Sequence, residues 1–239
     1  MAWAASIFCW DVGPTRDSPS FAHNRARDSD ITVNQPQASF SRVYASTRSQ
    51  LRSAKLAPGT QILVNEWAAL HGVSATPVRE ALAKLAGEAL IEDRERLGYF
   101  VPLLSSIEVA GLYELLELYL VRAIAHWQRD LRGNPSGPRV DDSDEDDVAT
   151  LMTIARRSNN PLLIEEVRRC LDRLAFARRR QADIFGPPEP MKNLIEVCTR
   201  GDAVKLTSTL RSYCRAGRNY ADAVAHAMAA GYRATIVRK

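Results

Sequence analysis

Small polar and basic residues cluster between Gly72 and Leu82, with a spacing typical of a turn followed by a helix. Gly72 can take the positive φ that a tight interhelical turn requires. Ser74 offers a hydroxyl that could cap the N–H groups of the next helix. Apolar residues at helical spacing predict a buried face and leave Ala75, Thr76 and Arg79 on the outside. Because an exposed arginine can bond base edges in the major groove, we predict a DNA recognition helix.

The flanking segments predict the elements that position this helix. Three apolar residues form its predicted buried face: Val78, Leu82 and Leu85. An upstream amphipathic segment closes a helix-turn-helix over the Gly72 turn, and its apolar residues are Leu63, Trp67 and Leu70. Downstream, apolar residues 90–91, the charged run 92–96 and residues 97–101 predict two short strands joined by a hairpin, which is a wing. Such domains insert the second motif helix into the major groove.

Each feature also has a purely structural interpretation. A glycine turn between helices occurs in many helical domains. Arg79 could be a solvated helix arginine paired with Glu80 or with neighbours of Lys84. Residues 92–96 alternate arginines with acids, so the wing is not strongly basic, and the aromatic pair at 99–100 is better placed to pack the wing than to stack on bases.

Composition is compatible with DNA binding without deciding it. The 239 residues are 46% hydrophobic and 25% charged, with a formal net charge of +4, which is typical of a soluble protein. Cys9, Cys170, Cys198 and Cys214 lack metal-binding spacing, which fits free thiols in a reducing cytoplasm. No apolar run approaches the roughly 18 residues of a membrane span. We therefore expect a cytoplasmic protein with no membrane partner.

Three regions follow along the chain. Residues 1–40 lack a secretory signal and are rich in polar residues, so we predict a disordered extension or a start codon placed too early. Residues 41–103 form the predicted winged helix-turn-helix domain. Residues 104–233 show only helical periods, beginning with a capping box at Ser105 and Glu108 and a long helix that ends near Gly133. Further helices are predicted at 147–158, 161–184, 189–200 and 202–231. The predicted fold class is mainly α, with an all-α helical bundle at the C-terminal side.

Several landmarks within residues 42–101 keep a specific order: Pro58-Gly59, Gly72-Val73-Ser74, residues 76–82, Leu85, Leu90-Ile91 and Gly98 with Val101. This pattern resembles the GntR family of bacterial repressors. In that family, arginines at the positions of Ala75 and Arg79 and a threonine at that of Thr76 contact the operator. The resemblance therefore implies that one base-reading arginine is missing here, which relaxes or alters the operator preference, since an Arg–guanine pair discriminates by about 1 to 3 kcal/mol. The predicted DNA-binding residues are Asn65, Ser74, Ala75, Thr76, Arg79, Arg94, Arg96 and Gly98.

Residues 105–231 carry a second set of landmarks: the long first helix, the 159–163 corner, and the 195–197 and 201–203 segments. These resemble the FCD effector domain of the fatty-acid-regulator branch of GntR proteins, in which many members hold a divalent metal with an aspartate and three histidines. The resemblance places the aspartate on Asp147 and the three histidines on Leu151, Met191 and Tyr213. None of these three side chains is a good ligand for zinc, nickel or manganese. Asp147 could equally be an acid at a helix N-terminus, so we predict no metal and no other cofactor.

The same positions predict a ligand pocket between helices. The predicted ligand-binding residues are Leu116, Leu120, Asp147, Leu151, Met191 and Tyr213. Such a pocket is apolar with a phenol at one end, which suits an organic acid or acyl effector; the alternative is that these side chains simply fill the core. Arg122 is the nearest candidate to pair with an anionic ligand, or else faces outward.

These observations predict a transcriptional regulator, a repressor that binds operator DNA as a homodimer, because one recognition helix covers too few base pairs for specificity. The sequence contains no GxSxG, HExxH or phosphate-cradling glycine motif, so we predict no enzymatic activity. The alternative is a degenerate regulator or protein-interaction module with impaired DNA readout.

Overall fold

The computed structural model describes residues 35–130, 147–186, 189–200 and 202–237. In chain order the elements are α1 (Gln35–Arg52), β1 (Gln61–Ile62), α2 (Val64–His71), α3 (Ala75–Gly87), β2 (Glu92–Arg94), β3 (Gly98–Phe100), α4 (Ser106–Asp130), α5 (Asp147–Arg156), α6 (Pro161–Phe185), α7 (Glu189–Arg200), α8 (Ala203–Asn219) and α9 (Ala221–Val237). The predicted fold class is confirmed: a winged helix-turn-helix precedes a helical region. Residues 1–34 and the predicted helix end near Gly133 lie outside the described residues.

The N-terminal domain packs α1, α2 and α3 beside a three-stranded antiparallel sheet of order β1-β3-β2. Val78, Leu82 and Leu85 are each 0% exposed, which confirms the predicted inner face of α3. They share one core with Val43 and Leu51 of α1. The recognition helix is therefore anchored along one side by burial of apolar surface.

Four details differ from the sequence-based prediction. Helix α1 begins at Gln35, so the predicted domain boundary at 40/41 falls inside it. Strand β1 was not foreseen, and β2 begins at Glu92, after the predicted apolar pair 90–91. Leu63 and Leu70 are 42% and 65% exposed, so their predicted packing is wrong. The inward face of α2 consists instead of Val64, Trp67 and Ala68.

Helices α4 to α9 share a second core. The predicted capping box is confirmed, because Ser105 N–H donates to Glu108 Oε2 at 2.8 Å and Glu108 N–H donates to Ser105 Oγ at 3.3 Å. The single helix predicted over 202–231 is two helices, α8 and α9, separated at Tyr220. The Tyr220 ring stacks on Phe185 with centroids 4.1 Å apart, a tertiary contact that favours the break. Cys170, Cys198 and Cys214 are buried free thiols, as predicted, and Cys9 lies outside the described residues.

Substituting alanine for two helical glycines should change the free energy of unfolding in opposite directions. A Cβ on Gly217 of α8 would lie 2.4 Å from the Tyr113 ring of α4, whereas a Cβ on Gly111 would meet no atom within 4 Å. Gly111→Ala should therefore raise the free energy of unfolding by about 0.5–1 kcal/mol. Gly217→Ala should lower it by about 1–3 kcal/mol through overpacking. Urea unfolding followed by circular dichroism measures both, and stabilisation by Gly217→Ala would contradict this close approach of α4 and α8.

Candidate nucleic-acid interface and helical pocket

The turn between α2 and α3 has the predicted backbone geometry. Gly72 lies in the left-handed region with φ 61° and ψ 42°, and its N–H donates to the last turn of α2. Ser74 is the N-cap of α3, but its side chain makes no capping hydrogen bond, so that part of the prediction is wrong. Ser74 is exposed. The first N–H groups of α3 are therefore left without a side-chain cap, an arrangement that favours a phosphate.

The outer face of α3 carries the predicted readout residues. Thr76 and Arg79 are exposed, and Ala75 is half-buried. Within the described residues Arg79 has no ion-pair partner, so the alternative of an arginine paired with Glu80 is not seen. Its guanidinium is thus available to an external acceptor.

Arg79 also lies where α3 meets the wing. Burial raises the pKa of Tyr99 in β3, the Asp93 carboxylate raises it further, and the positive charge of Arg79 lowers it. Asp93 is the cross-strand partner of Tyr99. The Arg79 charge is therefore close enough to the wing to affect Tyr99.

The two predicted wing arginines lie in different environments. Arg94 donates to Glu92 Oε2 from Nε at 2.9 Å and from Nη2 at 2.7 Å, and its guanidinium lies 4.4 Å from the Phe100 ring centroid. The Arg96 side chain is 90% exposed at the hairpin tip, with Glu95 3.7 Å away. Of the two, Arg96 is the one presented to solvent. Gly98, with φ 86°, supports this tight hairpin.

Sequence reasoning missed Arg42 of α1. It is exposed, and its Nη2 donates to the carbonyl of His71 at 3.3 Å, beside the Gly72 turn. Predicted Asn65 is exposed on the neighbouring helix α2. The helical spacing of Phe40, Val43 and Thr47 was the signal that could have revealed α1 and, with it, this positive charge.

The predicted pocket residues of the helical region come together in one core. Leu116, Leu120 and Leu151 are 0% exposed and Tyr213 is 2% exposed. The ring of Tyr213 meets Tyr113 edge-on, with centroids 6.2 Å apart. The side chain of Met191 lies outside the described residues, although its backbone is part of α7. Arg122 is exposed, which matches the outward-facing alternative.

Asp147, at the start of α5, binds an arginine that sequence reasoning missed. The Nη2 of Arg178 on α6 pairs with Asp147 Oδ1. The Arg178 side chain is only 11% exposed and that of Asp147 26%. The spacing of Leu171, Leu174 and Arg178 on the inner face of α6 was the available signal.

The polar neighbours of Arg178 are kept uncharged. Burial raises the pKa of Tyr213 to about 12; the Arg178 charge lowers this pKa and Asp147 raises it. Burial also raises the pKa of Tyr113 well above its ordinary value. The Tyr113 hydroxyl donates to Gln181 Oε1 at 3.0 Å. Asp147 and Arg178 are thus the charged pair in a set of neutral groups.

These residues do not fit the divalent metal that the FCD resemblance implies. The Asp147 carboxylate already binds a guanidinium, Leu151 offers no donor atom, and Tyr213 remains a phenol at neutral pH. No group of three or more His, Cys, Asp or Glu side chains that could hold a metal is found in the described residues. A hard or borderline cation needs several oxygen, nitrogen or sulfur donors.

Comparison with known proteins identifies the N-terminal domain. Residues 40–101 match the family described as bacterial regulatory proteins, gntR family. A 75-residue stretch is 40% identical to an uncharacterized HTH-type transcriptional regulator in an unstable DNA locus of Streptomyces ambofaciens, covering 31% of this chain and 32% of that relative. We call residues 40–101, which match this family of regulatory proteins, the GntR domain. The chain spans about a third of the length of the relative that it matches.

Solved structures extend the likeness in fold beyond the GntR domain. A transcriptional regulator GntR from Rhodococcus sp. RHA1 aligns with a TM-score of 0.65 at 18% identity, covering 77% of this chain and 97% of that chain. E. coli McbR/YncC aligns with a TM-score of 0.55 at 19% identity, covering 77% and 96%. Among the described residues, no helix combines the length and the apolar content of a transmembrane span.

The geometry of the GntR domain predicts distinct roles for its arginines. Arg79→Ala should reduce the preference for operator over random DNA by about 5- to 150-fold, the equivalent of about 1–3 kcal/mol. Arg96→Ala should weaken binding to all sequences alike and lower the slope of log K against log salt by about one. Arg94→Ala should change affinity less than Arg96→Ala, because Arg94 is held by Glu92.

Fluorescence anisotropy at several salt concentrations, with operator and random duplexes, measures all three variants. An unchanged operator preference in Arg79→Ala would show that α3 does not read bases through this arginine.

Proposed function

We propose that this protein is a transcriptional regulator, a repressor that binds operator DNA as a homodimer and responds to a small organic acid or acyl effector without a metal. The observation that carries this proposal is the exposed face of α3, with Arg79 held on a buried apolar anchor within a GntR domain. The proposal for the helical region builds on its resemblance to FCD domains. Its place of action is the cytoplasm.

A homodimer is supported by geometry and by an exposed apolar stripe. One recognition helix reads only part of a site, and two related by a two-fold axis read a near-palindrome. On α4, Ile107 and Leu118 are 82% and 62% exposed. They are eleven residues apart and therefore lie on one side of the helix, since it turns about 100° per residue. A second copy would cover this stripe.

The effector proposal is supported by the chemistry of the helical core. Leu116, Leu120 and Leu151 supply apolar surface, and Arg178 and Tyr213 supply hydrogen-bond donors at one end. An acyl chain or aromatic acid matches that combination. Because these side chains are tightly packed, entry of a ligand requires a shift of the surrounding helices.

A second candidate is a regulator with impaired DNA readout. Ala75 occupies the position at which the family has a base-reading arginine. The side chains of the helical core are closely packed, which is also compatible with a regulator that acts without a ligand. The two candidates differ in whether the purified protein distinguishes a sequence from its own promoter from random DNA.

The deciding experiment measures DNA binding and mass together. Purified protein should shift a duplex from its own promoter region at least about 10³-fold more tightly than random DNA. Sedimentation should give a mass near twice 26.6 kDa. Leu118→Glu should lower that mass and weaken operator binding, whereas Leu162→Glu, at a 77% exposed site on α6, serves as the surface control. A strict monomer that binds one operator tightly would refute the dimer, and equal affinity for both duplexes would favour impaired readout.

Metal independence gives a further prediction. Purified protein should contain no stoichiometric zinc, nickel or manganese, and a chelator should change neither its melting temperature nor its DNA affinity. Asp147→Ala should lower the free energy of unfolding by about 1–3 kcal/mol, less than the ~3–5 kcal/mol for a fully buried pair, because Arg178 loses its carboxylate partner. Elemental analysis and thermal unfolding measure these effects. About one metal ion per chain, retained on dialysis and lost in Asp147→Ala, would contradict the proposal.

A further inference from the structure

A buried carboxylate of the helical region is held by two arginines of the GntR domain. Asp172 of α6 accepts a hydrogen bond from Arg48 Nε at 2.7 Å and from Arg52 Nε at 2.8 Å, both on α1. The Asp172 side chain is 3% exposed, that of Arg48 14% and that of Arg52 47%. We name Arg48, Arg52 and Asp172 the interdomain clamp. A carboxylate removed from water in this way depends on its partners.

The clamp connects directly to the recognition helix. Arg48 Nη1 lies 3.8 Å from a carboxylate oxygen of Glu88, the residue that caps the C-terminal end of α3. The Tyr44 hydroxyl bridges the two, accepting from Arg48 at 2.8 Å and donating to Glu88 at 2.7 Å. Burial and the hydrogen bond to Glu88 raise the pKa of Tyr44 to about 12, so this hydroxyl keeps its proton. A change at Asp172 can therefore affect the C-terminal end of α3 through the side chains of Arg48 and Tyr44.

The same helix α6 also carries groups of the candidate pocket. Arg178 and Gln181 follow Asp172 by six and nine residues and bind Asp147 and Tyr113 respectively. At about 100° per residue, Gln181 projects from the side of the helix opposite Asp172, and Arg178 about 120° away from Asp172. Helix α6 thus contacts the GntR domain on one side and the core of the helical region on the other.

Packing beside the clamp is incomplete. A crevice of about 40 Å³ adjoins Asp172 and is lined from both sides of the boundary, chiefly by Leu51, Leu56, Leu90, Leu104, Phe176 and Met228. The charge cluster therefore contributes to holding the two domains together at this boundary, beside the apolar side chains that line the crevice.

We infer that the interdomain clamp fixes the orientation of the GntR domain on the helical region, and that displacement of α6 changes DNA binding by opening it. Resting on the proposed function, this inference adds the route by which an effector would act. The two-state element is the set of hydrogen bonds that Asp172 accepts. When these bonds are formed, the two recognition helices of a dimer are held at one spacing. When they are broken, the helices can take several spacings.

The test compares full-length wild type with Asp172→Asn, Arg52→Gln and the control Glu196→Gln. The control removes a carboxylate whose ion pair among the described residues lies within α7, with Arg200 at 2.7 Å. Calorimetry without DNA tests the clamp independently of function. Wild type and control should unfold in one thermal transition. In Asp172→Asn, the GntR domain should unfold in a separate transition at a lower temperature. Arg52→Gln keeps the Arg48 bond and should fall between them, which preserves the test if Asp172→Asn folds poorly.

The second arm uses operators whose half-site spacing is lengthened by one or two base pairs. Wild type and control should bind them at least about tenfold more weakly than the native spacing, and both clamp variants should show a smaller loss. If Asp172→Asn and Arg52→Gln both unfold like wild type and both keep its preference for the native spacing, the inference that the clamp fixes the domain orientation is wrong. Failure of wild type to prefer any operator would refute the proposed function instead, while calorimetry still decides on the clamp.

Discussion

A carboxylate that leaves water must find a positive partner, and helix α6 satisfies this requirement in two directions. Asp172 is buried on the side facing α1 and binds two arginines there. Arg178 is buried about 120° further round the helix and binds Asp147 of α5. Unpaired, each charge would destabilise the fold more than the pair contributes. The positions of α1 and α5 are therefore coupled to one helix through charge pairing rather than through apolar packing alone.

The proposed DNA-facing surface is positioned by apolar packing instead of by ion pairs. Helix α3 buries its apolar side in the core of the GntR domain, and this packing orients the opposite side. In the part of the chain that the structure describes, Arg79 makes no side-chain hydrogen bond or ion pair, whereas Arg94 donates to Glu92 and lies over Phe100. Asp93 and Glu95 weaken the attraction of the wing for phosphate. The proposed two-fold arrangement would double the contacts that remain.

Local signals explain what the sequence could predict. The buried face of α3, the Gly72 turn and the Ser105 capping box each depend on residues within a few positions, and each was found. Strand β1 has two residues, too few to show a period. Tyr220, at which α8 ends, stacks on Phe185 of α6, a tertiary contact that no local pattern reveals. Arg178 stands in an arginine-rich run typical of a solvated surface, and its partner lies 31 residues away. Asp172 pairs with Arg48 across 124 residues.

The Asp147–Arg178 pair limits how an anionic effector could bind in the proposed pocket. Arg178 supplies a single positive charge, and Asp147 cancels it. An anionic effector would therefore gain little from the intact pair and would have to displace Asp147 from the guanidinium. Asp147 lies at the first residue of α5 with a quarter of its side chain exposed, so it has water available when released. Such an exchange would alter the contacts of Arg178, on the helix that carries Asp172, which physically connects the pocket to the boundary with the DNA-binding domain.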